Sequence, residues 1–313
     1  MTAAQWQAVA FCPPALLPMI HVLLAAACSV LVFVLLKLAR ARGVDVAQAV
    51  TWNYLAASVL CALLLRPPMA SLQHPDAPWG PLLALGVLLP SLFIVMAFAV
   101  REAGIVRTDI AQRLSLLLSL AAAFVFFGEQ PGPVKLAGLA LGLVAVLCIL
   151  LRPVGATPLH PRALPALLTV WAGLAVVDVM LKKIAAAGTP SGASLQVSFV
   201  IALLCMLLWQ GSRALRGQTR FTLRNFGAGL LLGALNFGNI LFYVMAHKAL
   251  PSQPAVVFAS MNIGVVVLGT LVGAFGFGER LSRLNWLGIA LAVVAIALIT
   301  LAPLITLRLA PLF

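Results

Sequence analysis

The chain is 313 residues long, 63% hydrophobic and only 9% charged, with a mean hydropathy of +1.13. A soluble domain of this length has no interior large enough to hide so much apolar surface, so a soluble globular fold is excluded and the solvent must be lipid. The net charge of +13 comes from 20 basic against 7 acidic residues. The basic residues stand singly or in short clusters between apolar runs, the pattern of membrane-flanking loops and not of a nucleic-acid-binding face.

Crossing the hydrocarbon core takes a helix of about 20 apolar residues. In chain order, ten such runs occur at 16–36, 48–65, 80–100, 105–127, 133–151, 164–185, 192–210, 226–247, 252–277 and 284–306. They are continuously apolar, without the alternation of an outer-membrane barrel. Breaks fall at Arg66-Pro67-Pro68, Gly132-Pro133, Pro153 to Pro165, Gly188-Thr189-Pro190 and Arg213 to Arg224, all turn or loop signals. No Lys or Arg precedes Lys37, so run 1 lacks the basic leader of a signal peptide and is expected to be retained. The cysteines, Cys12, Cys28, Cys61, Cys148 and Cys205, are scattered and read as small buried hydrophobes.

The chain repeats itself at an offset of 150 residues: AAFVFFGEQPGPVKLAGLALGLVAVL at 122–147 is echoed by VGAFGFGERLSRLNWLGIALAVVAIA at 272–297. Shorter matches follow in the same order. Leu36-Lys37 pairs with Leu181-Lys182, and Val59 to Leu64 pairs with Leu203 to Leu208. A half-length repeat in an apolar chain is the signature of a transporter built from two related halves around a central site. The expected fold is all-α and integral to the membrane, with residues 1–152 as the first repeat, 153–163 as a linker and 164–313 as the second. Because each half holds five helices, the second enters the bilayer inverted.

The odd-numbered loops carry 14 of the 20 Lys and Arg residues, or 12 when Arg107 and Arg113, which fall inside run 4, are set aside. The positive-inside rule then puts those loops in the cytoplasm and both termini in the periplasm.

Ten helices in two halves, each carrying Gly-Glu, a short turn and Gly-x-Ala-Leu, resemble the EamA-type drug/metabolite transporters over essentially the whole chain. The second half matches best, through Ala246-His247-Lys248-Ala249-Leu250, Gly278-Glu279-Arg280-Leu281 and Gly288-Ile289-Ala290. In the first half Gln130-Pro131 replaces the usual Arg-Leu after Glu129. The resemblance implies transport of amino acids, sugars, nucleosides, cations or drugs, often outward and often against protons.

Ionisable groups inside a membrane helix cost about 2.5–3.5 kcal/mol at its centre by insertion scales, so each needs a reason. Run 4 carries Arg107, Asp109, Gln112, Arg113 and Ser115. Asp109 and Arg113 are four residues apart and share a helix face. Arg113 sits about eight residues in, or ~12 Å, which approaches the midplane. It reads either as an anion clamp with bidentate donors or as half of a structural pair with Asp109. Asp178 in run 6 is either a proton carrier or an i,i+4 partner of Lys182.

A third set is uncharged: Trp52, Asn53 and Tyr54 in run 2, Asn236, Asn239 and Tyr243 in run 8, and Ser260 and Asn262 in run 9. Asn236, Asn239 and Tyr243 form one stripe that must face protein or a wet cavity. Aligning the Gly-Glu pairs sets Asn262 opposite Gln112. Interhelical hydrogen bonding is the alternative for each of these groups. Glu129 and Glu279, at helix ends, are expected to cap the helix that follows. Gly269-x-x-x-Gly273 and Gly138-x-x-x-Gly142 read as packing features.

There is no Walker loop and no His-Glu-x-x-His motif, so no enzyme activity and no cofactor are expected. The reading is a secondary transporter of the bacterial inner membrane that exports a small polar metabolite, with runs 1, 3, 4, 6, 8 and 9 around the cavity. The substrate set is Arg113, Asp109, Gln112, Asn53, Tyr54, Asn236, Asn239, Tyr243 and Asn262, with Asp178 for protons. The expected partners are the substrate and membrane lipids, with the protein a monomer or homodimer. A lipid or lipid-linked precursor flippase is the competing reading.

Overall fold

The computed structural model describes the backbone of residues 16–73, 77–127, 132–150, 161–250, 254–279 and 281–309. Over these residues the chain forms ten long helices: α1 (Leu16–Ala41), α2 (Val46–Leu60), α3 (Trp79–Ala103), α4 (Ile105–Phe127), α5 (Pro133–Leu150), α6 (Ala163–Ala186), α7 (Ser191–Leu215), α8 (Leu223–Ala249), α9 (Pro254–Leu271) and α10 (Arg283–Leu309). Wider π turns extend α2 over Cys61–Leu65 and α9 over Val272–Gly276. No strand occurs among the described residues. Six helices (α1, α2, α3, α6, α7 and α8) carry a described stretch long and apolar enough to cross a bilayer.

Local chemistry sets the ends. Asp45 caps α2 by accepting from the amides of Ala47 and Gln48. Thr222 caps α8 through the amide of Asn225, which starts that helix three residues before the apolar run does. Ser282 and Asn285 cap α10 reciprocally, each side chain accepting from the other's amide. The helix α3 runs on through Arg101 to Ala103 and stops at Gly104, whose φ of 91° breaks the helical path.

Much of the surface is apolar, and polar groups are buried among the hydrophobic interior. Leu23, Leu63, Leu204 and Leu208 point outward, while Thr51, Asn53, Thr108, Asp109, Ser198 and Asn262 are buried. A lipid solvent favours that arrangement, since each polar group in hydrocarbon needs a partner inside the protein.

Packing is built around α8, which lies against both α1 and α2. Its approach to α2 is close enough that a Cβ at Gly229 or Gly233 would meet the backbone carbonyl oxygen of Ala49 or Asn53 at 2.6 or 2.5 Å. The other major pairs are α3 and α4 on α6, α2 and α3 on α7, α9 on α1, and α5 on α10. Tyr54 of α2 anchors an aromatic tier, with the rings of Phe93 of α3 and Phe199 of α7 at 6.5 and 6.1 Å.

Candidate functional site

The helix α4 separates two polar regions. Adjacent residues on a helix point about 100° apart, and here Gln112 faces one region and Arg113 the other.

On one side lies a cavity of about 190 Å³ between α2, α3, α4, α6, α7 and α8. Its walls are mostly apolar, leucine above all, with Tyr54, Gln112, Ser198 and Asn236 as the polar groups. Tyr54 is 2% exposed, and the hydroxyl of Ser198 is buried with no hydrogen-bond partner among the described residues. Asn236 donates to the side-chain oxygen of Asn53 at 3.3 Å, tying α8 to α2. The buried amide nitrogen of Asn53 is left without a partner there.

On the other side Arg113 fans out across three helices. One guanidinium nitrogen donates to Asn262 of α9 at 2.9 Å and another to Ser29 of α1 at 3.1 Å. Its Nε is 3.4 Å from Asp109 Oδ1, one turn earlier on α4. Both charged side chains are buried, at 9% and 2% exposure. Asp109 Oδ2 has no hydrogen-bond donor among the described residues and faces Gly269, where a Cβ would sit 3.5 Å from it. Tyr243 of α8 is within electrostatic reach of Arg113 and packs edge-on against His247 at 4.4 Å.

The expected residues therefore divide. Arg113, Asp109, Asn262 and Tyr243 gather beside α1 and α9, while Gln112, Tyr54 and Asn236 line the cavity with Asn53 behind them. Asn262 does reach α4, but it meets Arg113 and does not face Gln112. Asn239 is half-buried on α8 and is not among the cavity's lining residues. Asp178 is exposed on α6, although its neighbours Val177 and Leu181 line the cavity. The cavity also departs from the expected wall: α2 and α7 line it, and α1 and α9 do not. The reason is volume. Bulky side chains from α3, α6 and α7 form a separate apolar chamber, and Arg113 with its acceptors fills the space between α4, α1 and α9.

Two residues were missed from the sequence. Ser29 is the only hydroxyl in α1, which could have marked it within an otherwise apolar helix. Ser198 had no such signal, since α7 is rich in serine.

A third polar centre lies at the ends of α1 and α4. The carboxylate of Glu279 accepts the amides of Ile105 and Val106 at 2.7 and 3.1 Å and pairs with Lys37 of α1. Glu279 thus caps α4, not the following helix α10, whose own cap is Ser282. Glu129 lies outside the described residues. The carboxylate rests in a cradle of two glycines. A Cβ at Gly104 would come within 2.7 Å of it, and one at Gly273 within 3.1 Å of Oε2 and 2.4 Å of Val106. Both G-x-x-x-G spacings meet α4: Gly269 and Gly273 sit on Asp109 and Val106, and Gly142 sits on Leu117. Among the described residues no His, Cys, Asp and Glu cluster could hold a metal ion.

The model of the EamA-like transporter family matches residues 16–151. An uncharacterized protein of Haemophilus influenzae is 40% identical over 282 residues, 88% of this chain and 96% of that protein. The probable 4-amino-4-deoxy-L-arabinose-phosphoundecaprenol flippase subunit ArnE of Pectobacterium atrosepticum is 41% identical over 70 residues, 22% of this chain and 59% of that subunit. A solved crystal structure shares the fold, with a TM-score of 0.55 and 22% identity over 92% of this chain and 98% of that one. With its all-helical, multi-pass architecture, the chain belongs to the EamA-like transporter family.

Proposed function

We propose that this family member is a secondary active transporter that exports a small polar metabolite, an amino acid or another organic anion, across the bacterial inner membrane by alternating access. The observation that carries the reading is Arg113. Its guanidinium is buried in a membrane helix, and two of its acceptors, Ser29 and Asn262, are neutral groups that a substrate carboxylate would displace. Asp109, Gln112, Asn53, Tyr54, Asn236, Asn239, Tyr243 and Asn262 complete the substrate set, and Asp178 carries the coupled proton.

The transport unit is ten membrane-spanning helices in two inverted repeats, 1–152 and 164–313, with a linker at 153–163 and both termini in the periplasm. The helix pairing supports this. Advancing each helix number by five turns the pair α1–α8 into α6–α3, α2–α8 into α7–α3 and α1–α9 into α6–α4, and all six pairs occur. The pairs α5–α10 and α2–α7 map onto themselves. The odd-numbered loops carry most of the basic residues, which supports the orientation.

The test is counterflow in proteoliposomes, with a panel of amino acids, dicarboxylates, sugar phosphates and nucleosides. A solute is expected to exchange with wild-type protein and not with Arg113→Ala; equal exchange by both removes Arg113 from the site.

The flippase reading keeps two specific supports, the likeness to ArnE over 70 residues and the apolar cavity wall. It predicts no exchange of any soluble solute and translocation of a fluorescent lipid-linked phosphate instead.

A further inference from the structure

A second cavity, of about 360 Å³, lies outside the transport site, between the end of α1, the start of α2 and the start of α8. Leu35, Leu38, Ala228 and Leu231 line it. Leu231 is exposed, as are Leu31 on α1 and Leu223 on α8, so the groove continues into the outer apolar face. At its mouth stand Arg42 and Arg224, both exposed. The Arg224 guanidinium lies over the turn at Gly43, 3.6 Å from where a Cβ there would be.

Neither arginine makes an ion pair among the described residues. The carboxylate closest in sequence, Asp45, is committed elsewhere, to the α2 amides, Thr219 and Arg213. Arg224 is also the second residue of α8, at the positive end of the helix dipole, where a cation is disfavoured. Two cations without an ion-pair partner at the mouth of an apolar groove match an anion that carries a hydrocarbon tail. We propose that this groove binds one anionic phospholipid, its phosphate bridging Arg42 and Arg224 and an acyl chain lying between α1 and α8. The site is independent of substrate, and its occupancy fixes α8 against α1.

Native mass spectrometry and thermal shift of the full chain in detergent test this, titrated with phosphatidylglycerol, phosphatidylethanolamine or glycerol phosphate. The wild type is expected to hold one phosphatidylglycerol in preference to phosphatidylethanolamine, and to ignore glycerol phosphate. The double variant Arg42→Ala/Arg224→Ala is expected to lose about 30-fold in phosphatidylglycerol affinity, the effect of two basic contacts of ordinary strength. Ala228→Phe, which fills the groove and keeps both charges, is expected to lose the bound lipid as well. Arg42→Lys/Arg224→Lys keeps the charges and is expected to retain the lipid preference if the alanine pair does not fold. Equal binding of the two lipids, an unchanged alanine pair, or stabilisation by glycerol phosphate alone overturns the proposal.

Discussion

Lys37 of α1 and Glu279, 242 residues apart in sequence, form an ion pair over the start of α4, and the same Glu279 carboxylate receives the first two amides of that helix. One side chain therefore satisfies three donors from two helices, at the end where Phe33, Val100 and Ile105 also pack α1 against α3 and α4. The repeat-related pair α6–α8 has at most marginal contact.

Glu279→Ala leaves two helix amides and a half-buried ammonium without their acceptor, and is expected to cost about 2–4 kcal/mol in stability. The charge swap Lys37→Glu/Glu279→Lys is expected not to rescue it, because an ammonium cannot accept the amides of α4. Denaturation melts of the three proteins check this. Full recovery in the swap would show the ion pair, and not the cap, to be what matters.

Arg113→Lys keeps the charge but cannot reach Ser29, Asn262 and Asp109 together. The expected outcome is folded protein with exchange reduced about 10- to 100-fold, the range for one lost charge-assisted contact of ~1.5–3 kcal/mol. Ser29→Ala, which removes one neutral acceptor, is expected to change the apparent KM within about tenfold and leave the maximal rate intact. Concentration dependence of counterflow separates the two.

Asp178→Asn is expected to abolish uptake driven by a proton gradient while preserving counterflow, which needs no net proton movement. Asp109→Asn, beside Arg113, is expected to impair both. Parallel flux assays with and without an imposed gradient decide. Gradient-driven transport that survives in Asp178→Asn would assign the proton to another group.

Leu89→Trp fills much of the 190 Å³ chamber from α3. It is expected to block transport with little change in yield or melting temperature, because the side chain enters space that is not packed. Unimpaired transport would put the substrate path elsewhere.

The sequence was most informative where its signal is periodic or local. Helix positions followed from runs of apolar residues and their punctuation. The family followed from Gly-Glu and the glycine-led run after it. Arg113 and Asp109 could be read as neighbours because four residues make one turn. What the sequence could not reveal depends on which helices meet. Gln112 and Arg113 are adjacent in the chain and face different regions, and a difference of 100° on α4 has no meaning until its neighbours are in place. Glu279 looked like a cap for the next helix, the nearest free amides in sequence. It serves α4 instead, because the π turn that ends α9 brings it there, and Ser282 already serves α10.

The glycine cradle around Glu279 also constrains how this chain can drift over time. Gly104 cannot gain a methyl while Glu279 stays, and Glu279 cannot leave while Ile105 and Val106 begin a buried helix. Each position holds the others in place, so a single substitution at any of them is costly. Related chains should then either keep Gly104, Gly273 and Glu279 together or replace them together, and a set of relatives that mixes them freely would show that the α4 cap is dispensable.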